Sequence, residues 1–147
     1  MNFDREIRVE ARADLSAAVR RLRQDGWLLL TISGRTADKQ TFGDAVRAAV
    51  PLDPPIGLGP CNWDALADSL FGGLEGLASP RIALVWLDSD TMRDASPGDF
   101  AIALEVLGKA AEDASDPRFT SGRPKEVAVI ITREPGPDTA LGQGLER

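Results

Sequence analysis

Three stretches of the chain are apolar almost without interruption. They are Trp27 to Ser33, Ile82 to Leu87 and Glu126 to Ile131. Runs this short, bounded by polar or turn-forming residues, predict strands buried on both faces, as in a parallel sheet. Between and before them the apolar residues recur at helical spacing. Leu15, Ala18, Val19 and Leu22 form one stripe, with Asp14 as N-cap and Gly26 closing it. Phe42, Ala45, Val46 and Ala49 form a second, capped by Thr36 or Asp38 and ended by Pro51. Ser96-Pro97 opens a third, through Phe100, Leu104, Leu107, Ala110 and Ala111 to about Ala114. A short helix is expected at Thr91–Asp94. At the start of the chain Ile7, Val9 and Ala11 alternate with polar residues, which fits either a short edge strand or an unstructured lead. The element order is that of an α/β fold: a small parallel sheet with helices packed on it. One domain is expected over residues 1–134, and residues 135–147 read as a flexible tail.

A helix of a different character is predicted after the proline-rich loop Pro51 to Pro60. Asn62 is its N-cap, and Gly72 and Gly73 are expected to stop it. Trp63, Leu66 and Leu70 make its buried stripe. Asp64 and Asp68 stand four residues apart, so both carboxylates share another face, with Ala67 and Phe71 beside them. Like charges at this spacing cost an isolated helix about 0.2–0.5 kcal/mol. Asp64 recovers part of that from the positive end of the helix, and Asp68 does not. A solvated acidic face over a core helix is one explanation. A binding face is the other, because local rules are broken most often where a protein functions.

Composition narrows the chemistry. The chain has 147 residues, 43% of them hydrophobic, enough for a single core. It has one cysteine, Cys61, and neither histidine nor tyrosine. A Cys–His nucleophile is therefore impossible and ordinary zinc sites are disfavoured. The lone cysteine agrees with a reducing compartment. No stretch is long enough to span a membrane and no signal sequence is evident, so a cytoplasmic location is expected. The formal net charge of −6 disfavours nucleic acid and favours a basic partner. No cofactor, metal or small-molecule substrate is expected.

Asn62-Trp63-Asp64-Ala65-Leu66-x-Asp68-x-Leu70, behind its proline- and glycine-containing loop, resembles the signature helix of the barstar family. Those proteins are intracellular inhibitors of small secreted ribonucleases. The flanking segments resemble the family in order: Leu29 to Gly34, Thr41 to Leu52, Arg81 to Asp88, Asp99 to Leu107 and Val127 to Ile131. The likeness covers about residues 27–133. It implies a sheet of three parallel strands, a count that periodicity alone does not provide, with an extra N-terminal helix of no evident role. It also implies an inhibitor rather than an enzyme. An acidic helix would block the active site of a small basic ribonuclease, one to one, with Asp68 in place of the substrate phosphate and Asp64 beside it. Asn62 would cap the helix and touch the partner. The expected partner-binding residues are Leu58, Gly59, Asn62, Trp63, Asp64, Ala67, Asp68, Phe71, Gly72 and Lys109. Several depart from the pattern. Lys109 falls near an acidic contact of the family, and Leu58, Ala67 and Gly73 fall where members carry aromatic residues. These departures imply a different ribonuclease, weaker binding, or an anchor moved to Phe71.

Two rival readings stand beside this one. The first is a barstar-fold adaptor or regulator that binds a basic protein other than a nuclease. The second is a Mg²⁺-dependent phosphoryl-transfer enzyme using Asp88 and Asp90, two carboxylates just past the end of a predicted strand.

Overall fold

The computed structural model describes residues 7–57 and 59–133. The expected tail lies outside them. The strands are β1 (Ile7–Ala11), β2 (Leu28–Ile32), β3 (Arg81–Trp86) and β4 (Glu126–Arg133). The helices are α1 (Leu15–Gln24), α2 (Lys39–Ala49), α3 (Trp63–Gly76), α4 (Ser89–Ala95) and α5 (Pro97–Ala114), with a 3-10 turn at Arg12–Asp14. The sheet order is β1-β4-β3-β2 and every pairing is parallel.

The sheet thus has four strands, not three. Ile7 to Ala11 pairs along its whole length with Val129 to Arg133. This segment has only three apolar residues, and it becomes a strand because β4 offers it an unpaired edge. β2 forms the opposite edge, which explains a second departure. Leu28 to Leu30 are half-buried and Thr31 is exposed, with Ile32 alone buried, whereas Ile82 to Trp86 of the central β3 are all buried.

Helices cover both faces. On one face α2, α3, α4 and α5 enclose the main core, built on Ile32, Phe42, Leu66, Leu70, Leu84, Trp86, Met92 and Leu107. On the other face Leu22 of α1 packs with Ala83, Val85 and Ile130, flanked by Leu15, Val19, Trp27 and Leu29. That is the role of the N-terminal helix: it covers apolar side chains of β3 and β4 that would otherwise meet water. Asp14 precedes α1 but makes no side-chain cap.

Trp86 ties the main layer together. Its indole N–H donates to the buried Thr36 hydroxyl at 3.1 Å, so its one polar atom is satisfied. Its ring lies 4.8 Å from Phe42 and 5.6 Å from Phe100, and Phe42 lies 6.0 Å from Trp63. This aromatic row fixes α2, α3 and α5 against the sheet.

α2 starts at a reciprocal cap. The Asp38 carboxylate accepts the Thr41 backbone N–H at 2.9 Å, and the Thr41 hydroxyl accepts the Asp38 N–H at 3.0 Å. The bonds from Thr41 hold the Asp38 carboxyl below its usual 3.8. A carboxyl whose pKa is lowered by folding stabilises the native state above its unfolded value, and that contribution is lost as pH falls through the folded value. Asp38→Ala should therefore be less stable than wild type at neutral pH. The gap should shrink only below pH 3.8, as urea denaturation across pH would measure.

Candidate partner-binding face

The site is built on α3 and the loop before it. Asn62 is extended, and its side-chain oxygen accepts the Ala65 backbone N–H at 3.0 Å, as the sequence predicts. Asn62→Ala leaves that N–H without its protein partner and should cost about 1 kcal/mol, read as a lower thermal midpoint with the fold unchanged. Leu66, Leu70 and Leu74 are fully buried, and Ser69 and Gly73 face inward with them. Trp63 is half-buried, its ring turned towards Phe42. This leaves Asp64, Ala65 and Asp68 exposed on the outer side. Among the described residues, neither Asp64 nor Asp68 has an ion-pair or hydrogen-bond partner. Two carboxylates are presented to solvent on a helix whose other side is locked into the core.

Gly72 and Gly73 do not stop the helix, which continues to Gly76. They are there because the loop after α2 crosses α3 at this point. A Cβ on Gly72 would overlap the carbonyl oxygen of Asp53, and one on Gly73 would come within 2.5 Å of that of Pro51. The Asp53 N–H donates to the Ser69 carbonyl at 3.0 Å, which fastens the crossing. The two glycines act as a seat for backbone, a use that helix-stop rules do not distinguish from termination.

The remaining expected contacts are placed as follows. Gly59 is exposed with φ 147°, a conformation glycine tolerates and other residues avoid. Leu58 lies outside the described residues. Ala67 packs against the rim of the core, and Phe71, three residues on from Asp68 along α3, is half-buried. Lys109, on α5, is exposed. It pairs with Asp113 at 2.9 Å and lies 6.0 Å from the centre of the exposed Phe119 ring, so no ion pair joins it to Asp64 or Asp68. Cys61 is half-buried, and burial pushes its thiol up from 9.0.

Two groups that the sequence did not single out hold this face in place. The Lys39 backbone N–H donates to the Asp99 carboxylate at 3.0 Å, joining the start of α2 to that of α5. The Gln40 side chain binds the loop at Gly59 and Cys61. Both partners are distant in sequence, and no local signal marks them.

Asp88 and Asp90 are arranged for structure. Asp88 takes a left-handed conformation (φ 56°) and pairs with Arg12. Asp90 is buried, with one carboxylate oxygen unpartnered among the described residues. Between them Ser89 bonds Thr132, its hydroxyl donating to the Thr132 carbonyl at 3.0 Å. Among the described residues no three acidic or thiol groups are gathered to hold a metal. Asp88 is already neutralised by a guanidinium and Asp90 is turned inward, so the pair does not offer the open oxygen set that Mg²⁺ requires. No described helix is long and apolar enough to cross a membrane.

No curated protein matches the chain. The family model described as Barstar (barnase inhibitor) matches residues 27–129, which span β2 to the middle of β4 and leave β1 and α1 as elements upstream of the match. With well over half of its length matched, and with the capped α3 and its two outward carboxylates in place, the chain belongs to the Barstar family.

Proposed function

We propose that this protein inhibits a small basic ribonuclease by placing α3 in its active site. The observation that carries this reading is the exposed Asp64/Asp68 pair, unpartnered among the described residues, on a helix fixed at its start by Asn62 and along its length by Leu66, Leu70 and Leu74. A ribonuclease holds its substrate phosphate with cationic side chains. A carboxylate can replace that phosphate, accepting charge-assisted hydrogen bonds that are bidentate from arginine. Because Asp64 and Asp68 have no side-chain partner among the described residues, binding breaks no ion pair within them. The net charge of −6 steers a basic partner towards the face.

The test is capture from lysate and secreted proteins of the source organism, using tagged wild type and the Asp64→Ala/Asp68→Ala double variant, with inhibition of barnase measured in parallel. A basic ribonuclease held by wild type and released by the variant supports the reading. Lys109 and Ala67 favour one alternative, a partner surface unlike that met by other members. A captured protein without nuclease activity, held equally by both forms, would move the function to an adaptor.

A further inference from the structure

We infer that Gln40 is a positioning residue for this face: its carboxamide holds residues 59–61 in the bent path that delivers Asn62 and the start of α3. The inference rests on the inhibitor reading, which makes the 59–62 edge part of the contact surface.

The segment between Pro54 and Cys61 lacks the usual means of holding a chain still. Its described residues belong to no helix or strand, and Pro54, Pro55 and Pro60 have no N–H to donate. Among the described residues its backbone makes hydrogen bonds to one group only, the Gln40 side chain. The Cys61 N–H donates to Gln40 Oε1 at 2.8 Å, and Gln40 Nε2 donates to the Gly59 carbonyl at 3.1 Å. The two backbone groups flank Pro60, which has no N–H of its own. A primary amide, with one acceptor and a donor on the same plane, matches both at once. A second bond fixes which end is which: Nε2 also donates to Asp44 Oδ1, one turn along α2, at 3.1 Å. The clamp stands on firm ground, because the start of α2 is held by the Asp38–Thr41 cap and by the bond from Lys39 to Asp99. Removing it should leave the core intact while the loop samples other paths, so that a partner must select the competent one.

Cys61 supplies a readout that needs no partner. It is the only cysteine, half-buried, and its own N–H is one of the clamped groups. Its reaction with a disulfide reagent should be about tenfold faster in Gln40→Ala than in wild type, the effect of losing two modest hydrogen bonds. Gln40→Glu should behave like Gln40→Ala at neutral pH, because its second oxygen would face the Gly59 carbonyl and the Asp44 carboxylate. Relative to wild type at the same pH, it should return towards slow labelling in acid, where the protonated carboxyl regains a donor. Loss of a merely structural contact would not produce that acid rescue. In a titration against barnase, Gln40→Ala should bind about tenfold more weakly. Unchanged labelling in Gln40→Ala would overturn the clamp. Faster labelling with unchanged barnase affinity, in an assay where Asp68→Ala loses binding, would overturn its positioning role. Barnase affinity insensitive to Asp68→Ala would count against the inhibitor reading instead, and labelling would still decide the clamp.

Discussion

Replacing Asp68 with alanine should weaken binding of the inhibited ribonuclease by more than 100-fold, and the Asp64→Ala/Asp68→Ala double variant should weaken it further. Both carboxylates are exposed and, among the described residues, unpartnered, so truncating Asp68 removes no contact from the fold. Relief of like-charge repulsion at this spacing should even raise helix stability slightly, by about 0.2–0.5 kcal/mol. In the complex the balance reverses. The nuclease groups that hold phosphate become desolvated, and without Asp68 they are left charged and unpaired. Removing one partner of a desolvated ion pair costs about 3–5 kcal/mol, and 1.4 kcal/mol is a factor of ten. The penalty thus exceeds the helix gain by roughly tenfold in energy. The expected pattern is an unchanged or slightly higher thermal midpoint with lost inhibition, measured by titrating variants against the captured nuclease. Inhibition that survives in the double variant would remove α3 from the contact.

Gly72→Ala should destabilise the protein by about 2 kcal/mol, although helix propensity points the other way. In an open helix, alanine is better than glycine by about 1 kcal/mol. Here the added methyl would overlap the Asp53 carbonyl oxygen, a backbone atom that cannot rotate away. To admit it the loop must lift from α3, which stretches the bond from the Asp53 N–H to the Ser69 carbonyl and draws Leu52 out of the core. Overpacking of this kind costs about 1–3 kcal/mol before that bond is counted, so the clash wins. The thermal midpoint should fall by about 5 °C. A midpoint that rises would mean the helix gain dominates and the loop yields freely. The same loop continues into the clamped 59–61 segment, so Gly72→Ala should also weaken nuclease binding.

Much of the molecule was legible in the order of its residues. The apolar runs located β2, β3 and β4, and the helical stripes located α1, α2, α3 and α5 to within a few residues. These elements announce themselves because burial imposes a period on the chain. The N-cap at Asn62 and the outward pair at Asp64 and Asp68 were legible for the same reason: each depends on spacing within one helix. Three features were decided only by tertiary structure. The alternation from Ile7 to Ala11 allowed either an edge strand or an unstructured lead, and the open edge of β4 decided for the strand. Gly72 and Gly73 turned out to seat a crossing loop instead of ending a helix, since close approach of backbone from elsewhere leaves no mark beyond the glycine itself. Gln40 is a polar residue on an exposed helix turn, indistinguishable in sequence from a solvated one, until folding brings Gly59 and Cys61 to its amide. Periodicity reports which face of an element is buried. It does not report which distant backbone comes to rest there, and that is set by how the layers pack.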